Sequence, residues 1–230
     1  MIRFDNVFKS FDGKQVLAGV SFAVAAGEIL AIVGPSGTGK SVTLKHIVGL
    51  LAPDSGTVTV KDGARIGYLF QGGALLAWLT VRENVALPLK ETTKLPEDEI
   101  ARLTDEALKA VGLEDSAERY PAEISGGMVK RAGLARAIVR HADAVLYDEP
   151  TSGLDPVTAQ TIHRLIKRLN AEQGLTSLVV THDLAGACSF ADRILMLKDG
   201  CVVLAASPEE FLESDIPAVR EYVIASKGAL

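Results

Sequence analysis

Read by the alternation of apolar and polar positions, the chain falls into short β-branched runs separated by segments of helical period. Ile29 to Val33, Ala144 to Tyr147, Ser177 to Thr181 and Ile194 to Leu197 are nearly continuous apolar runs of strand length. That pattern predicts parallel strands covered on both faces. Asp155-Pro156 offers an acidic cap and a proline for a first helical turn, after which Ile162, Leu165, Ile166 and Leu169 fall on one face. From Leu87 to Ile124 the strand signal is absent, while Ile100, Leu103, Ala107, Leu108 and Val111 keep helical spacing among charges, which predicts a helical insertion. Ile2 to Val7, Val20 to Val24 and Thr57 to Val60 predict an antiparallel edge of short strands. Together these elements imply an α/β chain with a mostly parallel core sheet, an antiparallel edge subdomain and an inserted helical subdomain.

Composition narrows the class. In 230 residues, 24 Lys plus Arg stand against 29 Asp plus Glu, a net charge of −5, so there is no domain-wide basic excess of the kind that tracks nucleic-acid phosphates. Hydrophobic residues make up 48%, which raises the question of a bilayer span. A span takes about 18 or more consecutive apolar residues. The longest uncharged stretch, Ile66 to Val81, contains Gln71 and three glycines and is closed by Arg65 and Arg82. Met1 to Lys14 mixes charged and apolar residues without the apolar centre of a signal peptide, so a cytoplasmic chain is expected. The two cysteines, Cys188 and Cys201, form no closely spaced pair, which argues for ordinary thiols and against cysteine-bound metal.

Three motifs carry candidate chemistry. Gly34-Pro35-Ser36-Gly37-Thr38-Gly39-Lys40-Ser41 follows the run Ile29 to Val33 and opens a helical pattern through Leu44, Ile47 and Val48. This is G-x-x-x-x-G-K-[ST] in the strand, loop and helix context that supports it. Such a loop turns backbone N–H groups and a helix N-terminus toward phosphate oxygens, with Lys40 reaching the β and γ phosphates and the Ser41 hydroxyl holding Mg²⁺. The apolar run Ala144 to Tyr147 ends in Asp148 and Glu149: the first carboxylate suits Mg²⁺, the second suits orienting or deprotonating an attacking water. Ser125-Gly126-Gly127 at the start of a helical pattern is a second phosphate-binding design, which two copies sharing their nucleotides can explain.

With Gln71 in Leu-Phe-Gln, Ser152-Gly-Leu-Asp155 and Thr181-His182-Asp183 added, nearly the whole chain resembles the ATP-binding subunit of ABC transporters, with its P-loop NTPase fold. The resemblance implies a core at 1–86 and 140–206, a helical subdomain with the signature at 87–139, and a short helical tail at 207–230. It implies that ATP is bound by residues 34–41 and Thr43, with Phe11 stacking on adenine and Val16 beside the base or ribose. Gln71 then contacts Mg²⁺ and water and reports to a membrane subunit. Ser125, Gly126 and Gly127 take the γ phosphate of the partner copy's ATP, Asp155 bridges the dimer, and His182 contacts the γ phosphate and attacking water. Lys40, Gln71, Glu149 and His182 form the implied catalytic set, and Ser41, Gln71 and Asp148 the implied Mg²⁺ ligands.

Ser-Gly-Gly-Met128, the segments at 70–75 and 79–85 and Lys-His-Ile-Val-Gly-Leu-Leu at 45–51 narrow the resemblance to the ATPases of Mla-type lipid transporters. That implies a homodimer on the cytoplasmic face of the inner membrane. Its partners would be transmembrane permease subunits, an MCE-domain lipid-binding protein and, in some bacteria, a small STAS-domain subunit; no nucleic acid is expected. The alternatives are the ATPase of an amino-acid or other small-solute importer and a soluble ABC protein without a membrane partner. About 20 residues after Ser207 are too few for an added regulatory barrel, because independent domains take about 50 or more. His46, His141 and His163 lack matching acids and read as structural, and Lys130 and Arg131 as a solvated helix face. Trp78 fits either core packing or a surface toward the membrane subunit.

Overall fold

The computed structural model describes residues 1–227. In chain order its elements begin β1 (Ile2–Phe11), β2 (Lys14–Val24), β3 (Ile29–Val33), α1 (Lys40–Ile47), β4 (Ser55–Val60), β5 (Ile66–Leu69), α2 (Val81–Thr92), α3 (Glu97–Val111) and α4 (Gly126–Ile138). They continue with β6 (Ala144–Asp148), α5 (Pro156–Gln173), β7 (Thr176–Val180), α6 (Leu184–Phe190), β8 (Arg193–Lys198), β9 (Cys201–Ala206), α7 (Pro208–Leu212) and α8 (Pro217–Lys227). Contacts divide the chain into two units, one built from Met1–Gly63 and the chain from Thr176 onward, the other from Ala64–Leu175.

In the first unit, β1 and β2 form a hairpin closed by Asp12-Gly13 at φ 48° and 77°, the pair of left-handed residues that a two-residue turn requires. β4 pairs with the other edge of β1, all antiparallel. Ile2, Phe4 and Val7 face Leu17, Val20 and Val24 in a buried layer, and the Phe4 and Phe22 rings stack at 4.6 Å. The antiparallel edge expected from sequence is therefore present, with longer strands. The second sheet of this unit has β3 at its centre, every residue buried, with β7 and β8 parallel on either side. Asp199-Gly200 at φ 51° and 76° then returns the chain into β9, antiparallel to β8. α8 packs in this unit through Val219 and Val223, both buried.

In the second unit β5 and β6 pair in parallel. α4 lies so close on β5 that a Cβ at Gly67 would come within 2.3 Å of the Ala137 carbonyl oxygen, which is why glycine stands there. α2, α3 and α4 pack on one another, α3 inward through Ile100, Leu103 and Leu108. α2 starts at Val81, ahead of Leu87 where the strand signal stops. Its start is fixed by a reciprocal cap: the Glu83 N–H donates to the Thr80 hydroxyl at 3.2 Å and the Thr80 N–H to the Glu83 carboxylate at 2.7 Å. No helix among the described residues is long and apolar enough to cross a membrane.

Candidate active site

The glycine loop lies in the first unit. β3 leads into Gly34, whose φ of 143° and position, 2.0 Å from a would-be Cβ to the Leu197 carbonyl oxygen, admit no side chain. Gly39 at φ 94° caps α1, and a Cβ there would lie 2.7 Å from the Leu17 side chain. The Lys40 ammonium, buried within the loop, donates to the Gly34 and Pro35 carbonyls at 2.8 Å each. The Thr38 hydroxyl donates to the Pro35 carbonyl at 3.0 Å, and the buried Thr43 hydroxyl to the Gly39 carbonyl at 3.1 Å, bracing the loop from both ends. Ser36 and Gly37 stand exposed at the loop crown, and Ser41 is half-buried at the start of α1. Val16 borders the same loop, its methyl within 3.1 Å of a Cβ at Gly39. Phe11 is exposed at the end of β1 with the Lys9 ammonium 5.4 Å from its ring centre.

His182 follows β7 and is exposed. The Asp183 N–H donates to the Thr181 hydroxyl at 3.0 Å, and the Asp183 carboxylate caps α6 by accepting from the Gly186 N–H at 2.8 Å, so the chain on both sides of His182 is fixed. Tyr222 on α8 adds a link the sequence did not signal. Its hydroxyl accepts from the Gly34 N–H at 3.3 Å and donates to the His182 carbonyl at 3.5 Å. Gly34 and Tyr222 are 188 residues apart, and no local pattern connects them.

The Asp148-Glu149 carboxylates lie in the second unit. β6 is buried throughout and ends in Asp148, which accepts from the Tyr68 hydroxyl at 3.2 Å. Burial, reinforced by the Asp148 charge, pushes the Tyr68 hydroxyl well above the usual tyrosine range, so it stays a donor. Glu149 then adopts φ 49°, a left-handed conformation uncommon for a residue with a Cβ. Its carbonyl accepts from the Ser152 N–H at 3.2 Å. Gln71 is exposed beyond β5, and its amide donates to the Ser152 hydroxyl at 3.5 Å.

Ser125 caps α4, its hydroxyl accepting from the Met128 N–H at 3.3 Å. Gly126 is exposed, whereas Gly127 is buried with the Thr158 methyl 2.5 Å from a would-be Cβ. Asp155 caps α5, and the Thr158 hydroxyl together with backbone N–H groups holds its carboxyl below the usual range.

The expectation of a solvated Lys130 and Arg131 is corrected here. The Lys130 ammonium is buried and donates to the Gln71 carbonyl and, at 3.3 Å, to the Glu149 carbonyl. Burial pushes it below the usual lysine value against the pull of Glu149 and Asp148. Arg131 donates to the Val111 and Gly112 carbonyls at 3.0 and 2.8 Å. Farther along α4, Arg136 holds the Ala74 and Gly73 carbonyls at 2.7 and 2.8 Å. These cations pair with main-chain oxygens, so no matching acid in the sequence marks them. Trp78 is 72% exposed and not core filler.

The residues fit a nucleotide and a hard cation. The crown of the glycine loop is exposed in the first unit; Ser41 there, and separately Asp148 in the second unit, are each oxygen donors of the kind Mg²⁺ takes. Among the described residues no group of three or more His, Cys, Asp or Glu is placed to hold a metal ion.

The chain is similar to known proteins over most of its length. A family model described as "ABC transporter" matches residues 17–152. A probable ribonucleotide transport ATP-binding protein of Mycobacterium tuberculosis is 40% identical, covering 96% of this chain and 66% of its own length. The intermembrane phospholipid transport system ATP-binding protein MlaF of Haemophilus influenzae is 40% identical over 97% of this chain and 90% of its own. A solved dimer of the ATP-binding cassette MJ0796, in a post-hydrolysis state bound to ADP and Pi, superposes with TM-score 0.81 at 35% identity, covering 90% of this chain and 99% of that one.

Proposed function

The chain belongs to the ABC transporter ATP-binding family, and from that premise we propose that its phosphate loop, Asp148-Glu149 and Ser125 serve one ATP-hydrolysis cycle shared by two copies. Its activity is that of an ABC-type ATPase, the motor of a transporter. The observation that carries the site assignment is the glycine loop closed around the Lys40 ammonium at the start of α1.

In the proposed cycle, Lys40 and the N–H groups of the loop neutralise the β and γ phosphates. Ser41 and Asp148 hold Mg²⁺, with the Gln71 side chain as a further oxygen donor. When bound, the ion offsets charge on the phosphate oxygens. Glu149 accepts a proton from water as its oxygen bonds to the γ phosphorus; the bond to the bridging oxygen breaks, ADP departs and the proton passes to phosphate. His182 steadies the γ phosphate and water. Phe11 and Val16 receive the base and ribose. Ser125, Gly126 and Gly127 close on the partner copy's ATP, and Asp155 bridges the two copies.

Exchange of Glu149 tests this. Glu149→Gln removes the proton acceptor while keeping shape, so turnover should fall about a hundredfold or more with ATP still bound and the dimer accumulating. Near-wild-type turnover would contradict the role.

We infer that phospholipid is the cargo and that the chain works on the cytoplasmic face of the inner membrane through permease subunits. An MCE-domain protein, and in some bacteria a STAS-domain subunit, complete the assembly. Support comes from Met128 and the 70–85 segment, and from a relative whose name is phospholipid transport. A relative of equal identity is named for ribonucleotide transport, so purification from native membranes decides: an MCE-domain protein with the permease supports the lipid reading, and a solute-binding receptor instead contradicts it. The exposed Trp78 and Phe70 are assigned to the permease-facing surface.

A further inference from the structure

Lys130 lies within the second turn of α4, the helix that Ser125 caps. It is 5% exposed, and an ammonium taken out of water is costly unless its donors are satisfied. Its partners are main-chain groups at two chemically assigned residues, the Gln71 and Glu149 carbonyls. Ser152 closes the circle, giving its N–H to the Glu149 carbonyl and accepting the Gln71 amide on its hydroxyl. Glu149 itself stands at φ 49°, a conformation that persists when surrounding contacts over-determine it. Arg131 and Arg136 on the same helix hold carbonyls at residues 111–112 and 73–74, away from both assigned side chains. Lys130 alone among these three joins the residue that activates water to the helix that begins with the signature serine.

We propose that Lys130 is a positioning residue for hydrolysis: it ties the Gln71 and Glu149 carbonyls to α4, so that closure of Ser125 and Gly127 on the partner copy's ATP sets the attitude of Glu149 in the same chain. The inference rests on the roles given above to Glu149 and Ser125. It makes a specific demand on kinetics, because a residue that orients the water-activating group acts on turnover and leaves the phosphate loop's grip on nucleotide intact.

The test uses the purified full chain as wild type, Lys130→Met, Lys130→Arg and Glu149→Gln, measuring steady-state ATP turnover, affinity for a fluorescent ATP analogue and unfolding temperature. Lys130→Met should keep analogue affinity within about threefold and lose about tenfold or more in kcat, and Lys130→Arg, which can still donate to two carbonyls, should recover at least about a third of it. A folded Lys130→Met with kcat within about twofold of wild type overturns the proposal. Parallel loss of kcat and nucleotide affinity in a folded variant also overturns it, since that is the mark of a general prop. Should Lys130→Met fail to fold, Lys130→Gln decides by the same split: kcat lost with affinity kept supports the role, and kcat unchanged refutes it. A wild type that hydrolyses no ATP, or a Glu149→Gln that matches wild type, would refute the underlying site assignment and the proposal together; a failure confined to the Lys130 variants refutes the proposal alone.

Discussion

The unit around β3 and the unit around β6 each hold a loop of the proposed site in an uncommon backbone conformation, and they do so with opposite kinds of anchor. At Gly34 the outside anchor is neutral, the Tyr222 hydroxyl, which also reaches the His182 carbonyl. At Glu149 the anchor is a buried cation, Lys130, with Arg136 securing the neighbouring loop from the same helix. The difference follows the charge each loop must manage. The phosphate loop already carries Lys40, so a neutral anchor adds no second charge there. The β6 end carries Asp148 and Glu149, and a cation on α4 fixes the backbone while offsetting their charge.

This contrast can be broken at either end. The largest effect is expected at Gly34→Ala, where the new methyl would meet the Leu197 carbonyl oxygen at 2.0 Å and φ is 143°. We expect a loss of about 3 kcal/mol or more in stability and nucleotide affinity reduced about a hundredfold, read by analogue titration and thermal unfolding; near-normal binding would mean that β8 yields readily. Next comes Lys130→Met, which acts on turnover as set out above. The smallest effect belongs to Tyr222→Phe. Losing a neutral hydroxyl should cost about 1 kcal/mol in unfolding free energy and about threefold in turnover, with analogue affinity little changed. A Tyr222→Phe defect as large as that of Lys130→Met would erase the distinction between the two anchors.

Much of this was legible in the sequence where the signal is local. The run Ile29 to Val33 followed by Gly34 to Ser41 specifies strand, loop and helix in one stretch, and Asp148-Glu149 at an apolar strand end needs no distant partner to be noticed. Other local signals were present and went unread. Asp12-Gly13 and Asp199-Gly200 mark the tight turns that lengthen β1 and β2 and create β9. Thr80 with Glu83 marks the true start of α2. What could not be read were side chains whose partners are distant or are main-chain oxygens. Tyr222 reaches across 188 residues, and Lys130, between an apolar valine and an arginine, has the local pattern of a solvent-facing lysine because backbone carbonyls leave no complementary residue type in the sequence. Tyr68 is intermediate: it sits on a short strand beside β6, but only the parallel register brings its hydroxyl to Asp148.

In the proposed cycle each ATP is worked on by the phosphate loop of one copy and the Ser125 helix of the other. Mixing Lys40→Ala and Ser125→Ala chains tests it most directly, because each variant alone lacks one half of every site, while a mixed dimer contains one whole site. With random pairing, half the dimers are mixed and each has one of two sites intact, so ATP turnover should return to about a quarter of wild type. Turnover of the mixture no higher than the average of the two separate variants would mean that the two elements do not share a site across copies.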